Sequence, residues 1–213
     1  MKPMSSVKYP RTPHLPFSPG FAYDDERLVD LDALKGKEIV CTEKMDGENT
    51  TLYRDHWHAR SINSIRKHES RDWMAAYWAT VCDKIPFGHR VCGENMYAQH
   101  SIAYKNLDAY FLVHSVWRDN VCLNYQDTIK FCGMHGFQMV PELYRGPFSF
   151  EALTLVAAKL DLSCQEGFIV RTTEMITMEV FHRFVAKWVR AHHVQEKQKH
   201  WFSSKVIKNG LRK

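Results

Sequence analysis

Glu43-Lys44-Met45-Asp46-Gly47-Glu48-Asn49 lies between two short runs of strand character, Glu38-Ile39-Val40-Cys41-Thr42 before it and Thr50-Thr51-Leu52-Tyr53 after it. Asp46-Gly47 is a turn pair, so the stretch reads as a lysine carried on the connection between two strands. A lysine there is a nucleophile once its amine is deprotonated, which desolvation or a nearby cation favours. Acidic neighbours do the opposite, so Glu43, Asp46 and Glu48 need other work, such as holding a base, a sugar or a metal ion. Taken alone, the stretch reads first as a charged hairpin in solvent.

Outward from it, Tyr53 to Arg60 reads as strand, turn and strand, ending at Arg60-Ser61. Arg71 to Lys84 reads as a helix with Trp73, Ala76, Tyr77 and Val81 on one face, stopped by Ile85-Pro86. Arg90 to Tyr97 is a buried strand that ends in polar residues and contains Gly93-Glu94. Tyr110 to Trp117 alternates as a strand and contains Phe111, for which plain core packing is one reading. Helices are predicted over Thr128 to Gly136 and over Ser149 to Leu160, the latter with Ser149 as N-cap. Pro141 to Gly146 between them reads as a loop. Glu166-Gly167 then enters the apolar strand Phe168-Ile169-Val170, with Arg171 facing substrate at its far end, and Glu179 to Arg190 contains the last core strand with Lys187.

In this order the islands resemble the motifs of covalent nucleotidyltransferases, and the chain is most similar to the RNA ligase family of ATP-dependent polynucleotide ligases. The resemblance covers nearly the whole sequence. It implies an α+β fold, a ligase-type adenylyltransferase domain of two antiparallel sheets with flanking helices and ATP in the cleft between them. Lys44 would attack the α phosphorus of ATP and become a lysyl-adenylate. Glu43 would help read adenine, Phe111 would stack on it, and Asn49 and Glu94 would hold the ribose side. Arg60 would engage a phosphate. Glu166 would help organise the metal and triphosphate, and Asp46, Glu94 and Glu166 would face one or two Mg2+ or Mn2+ ions. The family has two lysines separated by one residue in its last motif. Here Lys187 fills one place, while Val185 and Val189 stand on either side, which leaves Arg190 or Arg183 as second cations. The implied activity is transfer of AMP to a 5′-phosphate end and sealing to a 3′-hydroxyl end, on RNA or mixed nucleic-acid strands. DNA ligation, GTP-dependent capping chemistry and an inactive nucleic-acid-binding relative are the alternatives.

The composition sets the frame. The chain has 213 residues, 45% hydrophobic and 25% charged, the profile of a globular domain with a substantial core. Its net charge of +5, twelve histidines and a basic C-terminal third suit a polyanionic partner. Six cysteines, none in a Cys-x-x-Cys pair, read as buried thiols and not as a zinc cage or disulfide framework. No apolar run reaches membrane-spanning length and no signal pattern opens the chain, so a cytoplasmic, monomeric protein with no membrane partner is expected. Residues 1–34, with Pro3, Pro10, Pro13, Pro16 and Pro19, are expected to lie extended over the domain, anchored by Tyr9, Leu15 and Phe17. Residues 35–190 form the expected core. Residues 191–213 form a basic tail, partly helical over Glu196 to Lys205, with no full C-terminal accessory domain. The chain is therefore expected to be a minimal ligase, a piece of a longer one, or one whose missing surface a protein partner supplies.

Overall fold

The computed structural model describes residues 5–21, 25–28, 31–62, 67–191 and 206–212. In chain order the strands and helices are β1 (Glu38–Glu43), β2 (Glu48–Leu52), β3 (Trp57–Ala59), α1 (Glu69–Val81), β4 (His89–Asn95), β5 (Phe111–Arg118), β6 (Val121–Cys122), α2 (Tyr125–His135), β7 (Gln138–Met139), β8 (Glu142–Pro147), α3 (Phe150–Lys159), β9 (Gly167–Thr172), β10 (Ile176–Thr177), α4 (Phe181–Phe184) and β11 (Val185–Val189).

They build two antiparallel sheets. The smaller has the order β11-β9-β1-β8, and the larger β10-β6-β5-β4-β2-β3, with β7 added parallel to β5. The strands around Lys44 are therefore no hairpin: β1 lies inside the smaller sheet and β2 inside the larger, and the Lys44 connection crosses from one to the other. Residues 141–146, expected as a loop, fall largely in β8, which pairs with β1 along its whole length. A strand carrying Gly146 and Pro147 and no alternation is tolerated there because it is an edge strand.

Period-two alternation divides each sheet into an outer and an inner face. On the outer face of the larger sheet Leu52, Val91, Phe111 and Val113 pack with Met74 and Val81 of α1 and Phe131 of α2. His68 caps α1, its Nδ1 accepting the Ser70 amide, and Asn124 and αL Gly136 bound α2. Met74, not Ala76, is the buried centre of α1; Ala76 and Ala79 are exposed. On the outer face of the smaller sheet Ile39, Cys41, Phe168, Val170, Ala186 and Trp188 pack with Leu153 and Val156 of α3, capped by Ser149 as expected. Between the sheets, Cys92, Trp117, Cys122, Phe181 and Val185 close one end of the cleft, and Met45, Met96, Leu107 and Leu112 the other.

The N-terminal segment crosses this arrangement. Tyr9 packs into the inter-sheet cluster, Leu15 is fully buried, and Phe17 lies against the outer cluster of the smaller sheet. Residues 206–212 dock on the opposite side, where buried Asn209 accepts the Tyr104 amide and donates to the carbonyls of Met96 and Ala98. The helix expected over Glu196 to Lys205 lies outside the described residues. Four of the six cysteines are buried, Cys164 is exposed, and all six are free. Among the described residues no helix is long and apolar enough to cross a membrane.

Candidate active site

Where β1 leaves the smaller sheet, the Glu43 amide donates to Pro141 O at 2.8 Å and the Lys44 amide to Gly167 O at 2.9 Å. These bonds fix the backbone of the crossing before any side chain is considered. Gly47 completes it: a Cβ there would stand 2.6 Å from Met96 Sδ and 2.8 Å from Asn95 O, so only glycine lets the loop lie against the end of β4. Asp46 then ties the crossing to the next loop, its Oδ2 accepting the amides of Ser101 and Ile102 at 2.8 and 2.9 Å.

This places Lys44 on the wall of a cleft of about 470 Å³ between the sheets. Its ammonium lies 2.5 Å from Glu166 Oε1, a carboxylate that is 5% exposed. Burial alone would lower the Lys44 pKa, but Glu166, Glu94 and Asp46 outweigh it and hold the ammonium above its ordinary value. Glu94 projects into the same cleft from β4. Burial pushes its pKa up to about 8, against the pull of Lys44 and a hydrogen bond from Asn49. Asn49 Nδ2 donates to Glu94 Oε1 at 3.3 Å and to His114 Nε2 at 3.1 Å. Its own Oδ1 is buried with no hydrogen-bond partner among the described residues, an acceptor aimed at a ligand donor such as a hydroxyl. Lys187 of β11, Arg60 beyond β3 and Glu43 complete the expected residues on the cleft wall. The Glu43 carboxylate accepts Gln165 Nε2 at 2.8 Å.

Four expectations are corrected. Phe111 does not stack on a ligand in the cleft: it is 1% exposed on the outer face of the larger sheet. The register explains this, because Asn49, Glu94 and Leu112 are cross-strand partners and share the inner face, one residue out of step with Phe111. His114, two residues on from Leu112, is the ring of β5 that lines the cleft. Its pKa is lowered to about 3 by burial and by Arg171, so it is neutral, accepts from Asn49 and donates through Nδ1 to Ser115 Oγ. Second, neither arginine near Lys187 serves as its partner cation. The Arg190 guanidinium turns to Leu162 O, and Arg183 is exposed beside the Phe184 ring. Third, Asp46 is a loop tie, with one carboxylate oxygen given to backbone amides, and Glu48 faces away from the cleft to pair with Arg71 of α1 at 2.5 Å. Fourth, Arg171 reaches the cleft lining, but its guanidinium donates to the carbonyls of Thr172, Leu123 and Glu174, so it braces the fold.

The sequence reading also missed residues that the fold brings in. Lys8, Tyr9 and Arg11 line the cleft from the N-terminal segment, and Asp25 pairs with Lys187 at 2.8 Å. No local spacing reveals these, and the face that His114 occupies follows from the register of β5 with β4.

A family model described as RNA ligase matches residues 37–189, from just before β1 to the end of β11. The chain belongs to the RNA ligase family. Solved structures with the same fold include a lysine-to-alanine variant of the Naegleria gruberi RNA ligase with ATP and Mn, 17% identical, TM-score 0.55, covering 88% of this chain and 60% of that one. An apo variant of the same ligase is 17% identical, TM-score 0.53, covering 75% of this chain and 51% of that one. A protein of Aquifex aeolicus described as an ATP-dependent DNA ligase is 14% identical, TM-score 0.56, covering 86% and 50%. This RNA-ligase-family chain thus spans between 50% and 60% of the length of these three. No curated protein matches it significantly.

The family resemblance implies a divalent cation. Among the described residues no three His, Cys, Asp or Glu side chains gather into a cage. The donors present nevertheless fit a hard cation that keeps water and substrate phosphates in its shell. Glu166 and Glu94 are carboxylates beside Lys44, and burial raises the pKa of Glu94 to about 8, a penalty that a bound cation would relieve.

Proposed function

We propose that this protein is an ATP-dependent RNA ligase that works through a lysyl-adenylate. The observation that carries the reading is the setting of Lys44: a lysine on the crossing between the two sheets, 2.5 Å from buried Glu166, with Glu94 and Asn49 facing it. The Lys44 ammonium must lose a proton before it attacks, and Glu166 Oε1 is the base within reach. The Lys44 nitrogen then bonds to the α phosphorus of ATP, the bond to the bridging oxygen breaks, and pyrophosphate leaves. Lys187 neutralises charge on the α phosphoryl group. Asn49 Oδ1 accepts from a ribose hydroxyl, while neutral His114 offers its ring on the inner face beside it. Glu166 and Glu94 would hold a Mg2+ or Mn2+ ion, which would supply charge neutralisation of the triphosphate. AMP next passes to a 5′-phosphate end, and a 3′-hydroxyl attacks to seal the strands and release AMP. Lys8, Arg11 and Arg60 at the cleft provide phosphate contacts that position strands without reading sequence.

The test is intact mass after mixing with ATP and Mg2+ or Mn2+, against a GTP control and the starting mass. One AMP on Lys44, absent in Lys44→Ala, is expected. An adduct that survives in Lys44→Ala, or GTP in preference to ATP, refutes the assignment.

A further inference from the structure

Lys187 sits on β11, the edge strand of the smaller sheet, and the N-terminal segment completes that edge. The Lys187 amide donates to Pro13 O at 2.8 Å, Leu15 donates to Lys187 O at 2.8 Å, and Gly20 donates to Val189 O at 2.9 Å. The segment then folds back, with His14 donating to Glu26 O and Leu28 to His14 O, both at 2.7 Å. That return brings Asp25 over the lysine: Oδ1 lies 2.8 Å from Lys187 Nζ. Oδ2 lies 3.0 Å from His14 Nε2, and His14 Nδ1 lies 2.8 Å from Ser18 Oγ. Ser18 Oγ accepts the Val189 amide at 2.9 Å, which returns the chain of bonds to β11. His14 and Ser18 are 1% and 3% exposed.

The protons in this relay can be placed. Burial, then Lys187, lowers the His14 pKa to about 4, so the ring is neutral and carries one proton. Asp25, facing an ammonium, accepts at both oxygens, so that proton is on Nε2. Nδ1 is then the acceptor, and the Ser18 hydroxyl donates to it while accepting from Val189.

We infer that Asp25 is a positioning residue for nucleotidyl transfer, holding the Lys187 ammonium in the cleft through a Val189–Ser18–His14–Asp25 relay built by the N-terminal segment. This rests on the role given to Lys187 under the proposed function. The need for it is physical. A strand fixes the lysine Cα, but four flexible carbons separate it from Nζ. Val185, on the same inner face, and Val189 carry no charge to share the task. An ammonium has three donors, so one bond to Asp25 leaves two for phosphate oxygens. The side-chain ordering is then complete before the nucleotide arrives.

The test is the single-turnover rate of adenylate formation on Lys44 at saturating ATP, for wild type, Asp25→Asn, Asp25→Glu, Lys187→Ala and the double variant Asp25→Asn/Lys187→Ala. Asp25→Asn is expected to slow the step on the order of tenfold, with Asp25→Glu recovering part of it. On a Lys187→Ala background it should change the rate by less than about twofold, because its effect passes through Lys187. Ser18→Ala, at the far end of the relay, serves if Asp25→Asn does not fold, and its smaller slowing should also vanish without Lys187. Full-rate transfer in Asp25→Asn, or effects that multiply with Lys187→Ala, overturns the inference alone. Absence of any adduct in wild type overturns the ligase reading and this inference with it.

Discussion

Replacing Glu94 by glutamine removes one charge from the cleft and keeps the shape, and its effect on stability should depend on pH in a defined way. Unfolded, the carboxyl titrates near 4.5; folded, burial moves it to about 8. Below the lower value it is protonated in both states and contributes nothing. Between the two values only the unfolded chain ionises, so the native protein loses stability as pH rises; above about 8 the loss is constant. At about 1.4 kcal/mol per pH unit, the interval amounts to on the order of 5 kcal/mol. The side chain is 16% exposed, so solvent screens little of it. Lys44, held above its ordinary value, titrates outside this window. Urea unfolding of wild type and Glu94→Gln at matched ionic strength reads the difference directly. The variant should match wild type at acid pH and exceed it by several kcal/mol at about pH 8.5. An equal gap at both ends of the range would refute the burial argument. The stabilised variant should also lose adenylate transfer, the outcome that the proposed role of Glu94 requires.

Other outcomes follow from single positions. Gly47→Ala forces the crossing off the end of β4, where the obstacle includes the Asn95 carbonyl; adenylylation should fall about a hundredfold while thermal unfolding shows a cost of about 1–3 kcal/mol. Asn209→Ala strips partners from the Tyr104 amide and the Met96 carbonyl and should cost about 2–4 kcal/mol in urea unfolding. Hydrogen exchange at Ser101 and Ile102 should rise with it, because Tyr104 also accepts the Asp46 amide. Phe111→Ala should cost about 3–5 kcal/mol and leave the KM for ATP of the folded fraction unchanged, as a core residue requires.

Residue chemistry that is local was legible in the sequence. Lys44 beside Asp46-Gly47, Glu94 after Gly93, Glu166 before Gly167 and the Ser149 cap each announce themselves within a few positions, and the structure brings Lys44, Glu94 and Glu166 together. What a pairing partner decides was not legible. Phe111 and His114 differ only in which face of β5 they occupy, and that is set by a register with β4. β8 has no strand pattern of its own and is made a strand by β1. Asp25 and Lys187 meet across 162 positions, and Asn209 reaches back 113 to Met96; such contacts leave no period to read. The missing second lysine pointed to nearby arginines because proximity in sequence was the only guide. The fold turned Arg190 to a carbonyl and put the N-terminal segment beside Lys187 instead.

The place of β1 has a consequence for biogenesis. Both of its neighbours, β8 and β9, are synthesised more than a hundred residues after its first residue, Glu38. While the ribosome works through β2 to β7, Ile39, Val40 and Cys41 have no partner strand, and the N-terminal segment has no β11 to lie against. Pairing over such separations is slow and leaves apolar strand edges open to other chains. The amide of Lys44 likewise waits for the carbonyl of Gly167. A nascent chain therefore carries Lys44 unset, and the crossing that holds it is fixed only once β9 has left the exit tunnel.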